Sequence, residues 1–136
     1  MKYKKLIIFT DGGARGNPGP AGIGAVIYDN EKNILAEISE YIGTATNNQA
    51  EYKAALAGIK KAKKIGAEEL EFYLDSELVV KQLNHEYKVK NKELAPLFVK
   101  IYNEILCFKK VIFKHIPREQ NKAADKLANL AMDRKK

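Results

Sequence analysis

Four acidic residues, far apart along the chain, occupy positions from which a folded domain can bring them together. Asp11 follows four consecutive apolar residues, typical of a buried central strand, and Asp75 ends a stretch of alternating apolar residues. Glu51 lies in the first turn of an alanine-rich helical segment, and Asp125 lies near the start of the last helical segment. Because open α/β sheets place their sites at strand ends, Asp11 and Asp75 lie side by side if their strands are neighbours. Glu51 can then reach over them.

A cluster of carboxylates is costly unless positive charge is added. Two carboxylates about 4 Å apart repel by roughly 4 kcal/mol at an effective dielectric near 20. Divalent cations relieve this repulsion, and hard oxygen ligands select Mg²⁺ or Mn²⁺ over zinc. Two such ions about 3.5–4 Å apart can activate a water molecule and stabilise the leaving oxygen of a phosphodiester. No Ser/His/Asp arrangement competes, because the chain has only two histidines, His85 and His115.

Each acid taken alone also has a simpler structural interpretation. Asp11 precedes a glycine, and Asp-Gly often opens a turn. An acid near the start of a helix, such as Glu51 or Asp125, is stabilised by the helix dipole. The metal interpretation therefore depends on the four acids together.

Composition narrows the class of protein and the kind of partner. The 136 residues suit one domain, residues 1–136, with one core. A formal net charge of +7 favours nucleic acid as partner, although a lysine-rich surface kept for solubility explains it equally well. The single cysteine, Cys107, excludes an internal disulfide and a Cys-based zinc site, which suits a reducing cytoplasm. The first apolar run is too short for a signal peptide or membrane span, so we expect a soluble, unexported protein.

The hydrophobic pattern predicts the element order β-β-β-α-β-α-α-β-α. Predicted strands are residues 5–10, 22–28, 34–42, 68–75 and 111–113. The first predicted helix starts at a Thr46–Gln49 capping box and stops near Gly66. The second and third cover residues 76–84 and 93–108, and the last contains Ala124, Leu127, Ala128 and Ala131. Residues 29–33 form a hairpin turn, 85–92 a basic loop and 115–121 a connector, and 134–136 a frayed tail. This order predicts an α/β fold with a mixed five-stranded sheet, three antiparallel strands followed by parallel ones, flanked by helices.

The glycine-rich segment after Asp11 is not a nucleotide-binding loop. A Rossmann fingerprint must open into a helix, and a Walker loop must end in Gly-Lys followed by Ser or Thr. Here the segment runs into residues 22–28, which have the pattern of a strand.

Four linked motifs together identify a family. They are Thr10-Asp11-Gly12-Gly13 with Gly16-Asn17-Pro18-Gly19, then Thr46-Asn47-Asn48-Gln49-Ala50-Glu51, then Asp75-Ser76, then Arg118-Glu119-Gln120-Asn121-Lys122-Ala123-Ala124-Asp125. In this order and spacing they resemble type 1 ribonuclease H over nearly the whole chain. The resemblance implies the ribonuclease H-like fold and an endonuclease that hydrolyses the RNA strand of RNA–DNA hybrids, leaving 5′-phosphate and 3′-hydroxyl ends. It also matches Asp11, Glu51, Asp75 and Asp125 to the family's metal-binding catalytic acids, with two Mg²⁺ or Mn²⁺ ions per site.

The same resemblance suggests the substrate contacts. Asn17, Asn47 and Asn48 match positions that face the hybrid's minor groove and read RNA 2′-hydroxyls, and an amide can both donate to and accept from a hydroxyl. Gly12 would let the backbone approach phosphate or sugar closely. Simple helix capping remains an alternative for Asn47 and Asn48.

Three departures from the family pattern affect this interpretation. The histidine nearest the last helix, His115, is followed by a short connector with a proline, so a strand-end role competes with a catalytic one. Arg118 can serve the scissile phosphate instead, or bridge to a neighbouring acid. The chain has no tryptophan, and only residues 85–92 stand where some members carry a long basic protrusion. We also expect no separate hybrid-binding domain, no obligate protein partner and a monomer.

Two other functions remain open from the sequence. One is a hybrid-binding module without turnover, which the complete acid set disfavours. The other is a nuclease of the same fold that acts on DNA, which the two asparagines before Glu51 disfavour.

Overall fold

A computed structural model of the protein describes residues 3–135, which form one sheet and four helices. The strands are β1 (Tyr3–Ala14), β2 (Gly19–Tyr28), β3 (Ile34–Ala45), β4 (Ala67–Leu74) and β5 (Lys110–His115). The helices are α1 (Asn47–Ile65), α2 (Glu77–Leu83), α3 (Ala95–Ile105) and α4 (Lys122–Arg134), with a short 3₁₀ turn at Arg118–Gln120. No helix within this described part of the chain is long and apolar enough to cross a membrane.

The sheet has the order β3-β2-β1-β4-β5. β1 pairs with β2, and β2 with β3, in antiparallel fashion, whereas β1 pairs with β4, and β4 with β5, in parallel. The predicted mixed five-stranded sheet is therefore confirmed. Because β1 and β4 are neighbours, the acids that follow their apolar segments emerge next to each other.

Helix α1 begins and ends where the sequence predicts. The Thr46 hydroxyl accepts a hydrogen bond from the Gln49 N–H, and the Gln49 side chain accepts one from the Thr46 N–H, which completes the capping box. Gly66 ends the helix with a φ of 95°, which favours glycine. Gly58 allows α1 to lie close on the sheet, because a Cβ there would lie 3.2 Å from atoms of Ile8 and Thr10.

Strand β1 is longer than predicted, and Asp11 lies inside it rather than at its end. Residues 11–14 continue the antiparallel pairing with residues 21–24, so the connecting loop contains only residues 15–18. The prediction was wrong because glycines carry no apolar signal. Gly12 is nevertheless needed here, since a Cβ on it would lie 2.2 Å from the Ala50 carbonyl oxygen in α1.

Other boundaries also differ from the prediction. β5 extends to His115, which was assigned to the connector, and α3 is shorter than residues 93–108. Arg134 belongs to α4, and its Nη2 donates to the Ser39 carbonyl oxygen and hydroxyl at 3.1 and 3.0 Å, so this part of the predicted frayed tail is ordered. Lys136 lies outside the described residues.

Helix α4 packs directly on the backbone of β2. A Cβ on Gly24 would lie 2.2 Å from the Ala124 carbonyl oxygen, and one on Gly22 would lie 2.7 Å from that of Ala128. Because Gly24 pairs with Asp11 in the neighbouring strand, this close approach brings the first turn of α4, with Asp125, near Asp11 in β1.

The packing of α4 on Gly24 generates a stability prediction. Gly24→Ala is expected to lower the free energy of unfolding by about 1–3 kcal/mol, because the added methyl group overlaps the helix backbone. The control is Gly13→Ala, whose methyl group would lie 3.7 Å from Met132, an ordinary contact. Urea unfolding followed by circular dichroism measures both, and equal stabilities would contradict the close packing.

Candidate active site

Three carboxylates meet at the junction of β1, α1 and the end of β4. Oxygen atoms of Asp11, Glu51 and Asp75 all lie within 4.8 Å of one another. Asp11 comes from inside β1 and Asp75 from the residue after β4. Glu51 lies in the second turn of α1 and not in the first as predicted, because the helix begins at Asn47. Asp11 and Glu51 are buried, with 8% and 7% of their surface exposed. The sequence prediction that these three acids converge is consistent with this geometry.

The buried carboxylates are poorly compensated by the protein. One oxygen of Glu51, Oε1, accepts only a long hydrogen bond of 3.4 Å from the Gly12 N–H. The other, Oε2, is buried and has no hydrogen-bond partner among the described residues. A buried carboxylate oxygen without a donor normally carries a large desolvation penalty. The arrangement therefore calls for a positive group to sit against these oxygens.

Burial and neighbouring carboxylates raise the pKa values of Asp11 and Glu51. Burial, followed by the neighbouring Asp75 carboxylate, raises the pKa of Asp11 from 3.8 to about 7. Burial and then the Asp11 carboxylate raise the pKa of Glu51 well above its usual range. Both effects oppose ionisation, because negative charge accumulates in a poorly solvated place.

Asp125 joins the same cavity from α4. The cavity has a volume of about 490 Å³ and is lined by the four acids together with Gly12, Gly13, Ala14, Arg15, Asn47, Asn48, Ser76, Arg118, Ala128, Asn129 and Met132. Asp125 also contributes to the raised pKa of Asp11 through a hydrogen bond and through its charge, although burial and Asp75 have larger effects. All four predicted acids thus face one opening.

Three of the four predicted substrate residues, Gly12, Asn47 and Asn48, line this cavity, and hydrogen bonds connect Asn17 to Asn47 and Asn47 to β1. The Asn17 side-chain oxygen accepts a hydrogen bond from the Asn47 N–H at 3.0 Å. The Asn47 side-chain oxygen accepts one from the Ala14 N–H at 2.9 Å. These bonds tie the 15–18 loop and the end of β1 to the start of α1, whereas Thr46 caps the helix. Asn48 lines the cavity, but Asn17 is not among its lining residues.

The two auxiliary candidates have different positions. Arg118 lines the cavity, and its Nη2 lies 3.9 Å from the Asp125 Oδ1. Its side chain is 81% exposed, so it can swing toward a bound ligand. His115 is exposed at the end of β5 and is not one of the cavity-lining residues. The geometry therefore favours Arg118.

Sequence reasoning assigned no role to Asn121, which the structure places against the acids. Its Nδ2 donates to the Asp75 Oδ2 at 3.0 Å and to the Thr10 carbonyl oxygen at 2.9 Å. The residue is only 1% exposed. The available signal was its position just before the last helix, where asparagine is usually interpreted as a cap.

The residues fit a divalent cation. Carboxylate oxygens are the hard ligands that Mg²⁺ and Mn²⁺ prefer, and thiol or imidazole ligands are absent from the cavity lining. A positive charge at this place would give the Glu51 Oε2 a partner and would lower the raised pKa values of Asp11 and Glu51. Asp11, Glu51 and Asp75 therefore form a cluster that can hold a divalent metal ion.

Comparison with known proteins gives the class first. A family model described as reverse transcriptase-like matches residues 9–131. LC11-RNase H1, isolated from compost and solved in complex with an RNA/DNA hybrid, has a TM-score of 0.91 at 47% sequence identity, covering 95% of this chain and 97% of that one. The fold and the acid cluster define a domain of the ribonuclease H class.

Two relatives narrow the class to a family. The bifunctional protein Rv2228c of Mycobacterium tuberculosis is 45% identical over 130 residues, which cover 95% of this chain but 36% of that protein. The present chain thus spans about a third of that relative's length. The ribonuclease HI of Rickettsia prowazekii is 33% identical over 138 residues, covering 91% of this chain and 88% of that protein. The chain belongs to the ribonuclease HI family, as its motifs predicted.

The raised pKa values generate a prediction for the metal-free protein. Asp11 binds its proton more tightly in the folded state, with a pKa of about 7, than in the unfolded chain. The free energy of unfolding should therefore fall as the pH rises from about 4 to about 7, by up to about 1.4 kcal/mol per pH unit from this group. Urea unfolding in EDTA across this range measures the slope.

Two variants and one addition test the assignment of this pH dependence. Asp11→Asn should flatten the slope, whereas Asp133→Asn, an exposed acid paired with Arg15, should leave it unchanged. Adding Mg²⁺ at pH 7.5 should restore stability to the wild type. A slope that is the same in the wild type and Asp11→Asn would contradict the raised pKa.

Proposed function

We propose that this chain is a metal-dependent endoribonuclease that hydrolyses the RNA strand of RNA–DNA hybrids and leaves 5′-phosphate and 3′-hydroxyl ends. The observation that carries the proposal is the convergence of Asp11, Glu51 and Asp75, with oxygen atoms within 4.8 Å, in a cavity open to a polymer. Membership of the ribonuclease HI family and the likeness to an enzyme solved with an RNA/DNA hybrid support it. As the chain spans only part of its mycobacterial relatives, the proposal concerns this domain.

The acids divide the work of holding metal. Asp11, Glu51 and Asp75 would hold one cation, and Asp125, across the cavity, would complete the site for a second Mg²⁺ or Mn²⁺ ion. When bound, such ions supply an activated water and stabilise the leaving oxygen of the phosphodiester. The protein's contribution is to fix four carboxylates, on β1, on α1, directly after β4 and on α4, before the substrate arrives. This rigidity supports cleavage because catalytic ligands must be preorganised.

Three asparagines at or next to the cavity, Asn17, Asn47 and Asn48, give a means of distinguishing RNA from DNA. The Asn47 oxygen is engaged by the Ala14 N–H, so its NH₂ group is the part that can donate to a 2′-hydroxyl. Asn48 lines the cavity beside Glu51, where the scissile nucleotide would lie. Asn17 supports Asn47 from the adjacent loop. The contact of Gly12 with substrate rests on the family resemblance alone, because its observed role is to admit the backbone of α1.

Charge accounts for the grip on the hybrid. The chain carries a formal net charge of +7, and residues 85–92 form an exposed basic segment. Contacts between lysines and phosphates weaken steeply with salt, so hybrid binding should be strongly salt-dependent.

We further propose that the chain acts as a monomeric, single domain over residues 1–136, in the cytoplasm and without an obligate protein partner. Its one cysteine, Cys107, is exposed and free, which suits a reducing compartment.

Cleavage of a labelled hybrid tests the proposal directly. Wild-type protein with Mg²⁺ or Mn²⁺ should cut the RNA strand, and Asp11→Asn should lower the rate by at least about 1,000-fold, as expected when a central metal ligand is lost. Glu40→Gln, a change of an exposed acid on β3, is the matched control and should keep full activity. Circular dichroism verifies that each variant is folded.

Three outcomes would favour other functions. Absence of cleavage at any concentration of either metal would remove the proposal. Tight hybrid binding without product would indicate a binding module without turnover. A preference for all-DNA duplex over hybrid would indicate a nuclease that acts on DNA.

The two auxiliary residues generate a paired prediction. Arg118→Ala should lower kcat/KM by about 10–100-fold, because a charge-assisted hydrogen bond to phosphate is worth roughly 1.5–3 kcal/mol. His115→Ala should change it less than about twofold, since His115 lies outside the cavity lining. Initial rates on one hybrid measure both. The reverse ranking would mean that the 115–121 connector rearranges when substrate binds.

A further inference from the structure

Asn121 is a buried polar residue at the centre of the site's framework. It follows the 3₁₀ turn and precedes α4, in the N-cap position of that helix. Its side-chain NH₂ group donates to the Thr10 carbonyl oxygen at 2.9 Å and to the Asp75 Oδ2 at 3.0 Å. One amide thus joins Thr10, inside β1, to Asp75, the residue that follows the neighbouring parallel strand β4.

The placement of Asn121 is unfavourable for the helix that it precedes. An asparagine at the N-cap usually accepts a hydrogen bond from the start of the helix. Here the side chain makes no capping bond, and its Oδ1 is buried without a hydrogen-bond partner in the part of the chain that the structure describes. The NH₂ group of the amide instead donates to Asp75, while the helix lacks a side-chain cap and the Oδ1 lacks a donor. A residue held in this way has a role outside its own helix.

Asn121 contacts, directly or through one bond, three of the four acids. It binds the Asp75 carboxylate itself. It holds the carbonyl of Thr10, the residue before Asp11. Its own carbonyl oxygen accepts the Asp125 N–H at 3.1 Å, which fixes the first turn of α4. Asn121 therefore links the segments that carry Asp11, Asp75 and Asp125, the first two through its side chain and the third through its backbone.

We propose that Asn121 is a positioning residue that orients the Asp75 carboxylate and locks the start of α4 against β1 and β4. Its NH₂ group donates to the Oδ2 of Asp75, and this bond fixes the orientation of a carboxylate that has an oxygen within 4.8 Å of oxygens of Asp11 and Glu51. Only a group with two donor hydrogens can serve the Thr10 carbonyl and the Asp75 carboxylate together. The inference rests on the proposed function, because it concerns how the metal-binding acids are held.

Two substitutions separate the donors from the volume of the side chain. Asn121→Asp keeps the shape but turns an acceptor toward two other acceptors, and Asn121→Ala removes the amide. The matched control is Asn84→Ala, because the Asn84 Nδ2 also donates to a strand carbonyl, that of Phe113, at 3.0 Å. Asn84 is not among the cavity-lining residues. Ile101→Val, in the core of α3, supplies a second, purely destabilised control.

Metal binding is measured first, without substrate, by calorimetric titration of each protein with Mn²⁺. Loss of a group that orients a metal ligand typically costs about 10–100-fold in metal affinity or activity, and we expect this loss in Asn121→Asp and Asn121→Ala. At saturating hybrid, kcat should fall by a similar factor, while KM for the hybrid changes less than about threefold. Higher Mn²⁺ should restore part of kcat. Both controls should lower the melting temperature yet keep metal affinity and kcat within about twofold of wild type.

A measurement on the wild type covers the case in which the variants do not fold. In nitrogen-15 NMR spectra, the Asn121 side-chain NH₂ signals should be protected from exchange and should shift during a Mg²⁺ titration, with the midpoint of the metal-binding isotherm. Signals that stay unchanged through the titration would overturn the proposal. So would folded Asn121 variants that match Asn84→Ala in metal affinity and kcat. A wild type that neither binds metal nor cleaves hybrid would instead remove the proposed function, so the two failures are distinguishable.

Discussion

Mutual repulsion between buried carboxylates is the constraint on which the rest of this structure depends. Asp11 and Glu51 are almost inaccessible to water, and burial together with the neighbouring carboxylates raises the pKa of each. Glu51 even keeps one oxygen without a donor in the described chain. A fold selected only for stability would replace such groups by apolar ones. The remainder of the domain can therefore be understood as a frame strong enough to hold negative charges together until cations neutralise them.

The frame works through backbone contacts at glycine. Gly12 admits the backbone of α1, and Gly24 admits that of α4, each at distances that exclude a Cβ. Both glycines lie beside or opposite Asp11 in the β1–β2 ladder. As a result, α1, which carries Glu51, lies close on β1, and α4, which carries Asp125, lies close on β2. The geometry of the acid cluster therefore depends on the absence of a Cβ at Gly12 and Gly24 as much as on the acids themselves.

The sequence predicted the parts of this structure that local rules control. Thr46 and Gln49 predicted the start of α1, and Gly66 predicted its end, because capping depends on residues that are close in sequence. Asp11 was expected at a strand end because the glycines after it resemble a loop, and only pairing with β2 shows otherwise. Asn121 was missed because its partners, Thr10 and Asp75, are distant in sequence. Proximity of Asp11 and Asp75 could be stated only conditionally, since strand order is a property of the whole sheet.

The pairing of β1 with β4, which are separated in sequence by β2, β3 and α1, also affects the order in which the acid site is assembled. Parallel neighbours cannot join until the crossover between them has been made. Asp75 consequently reaches Asp11 only after β2, β3 and α1 have been synthesised, and Asp125 and the Asn121 amide come from the 3₁₀ turn and helix that follow β5. A nascent chain emerging from the ribosome therefore has no assembled acid site until α4 has been released.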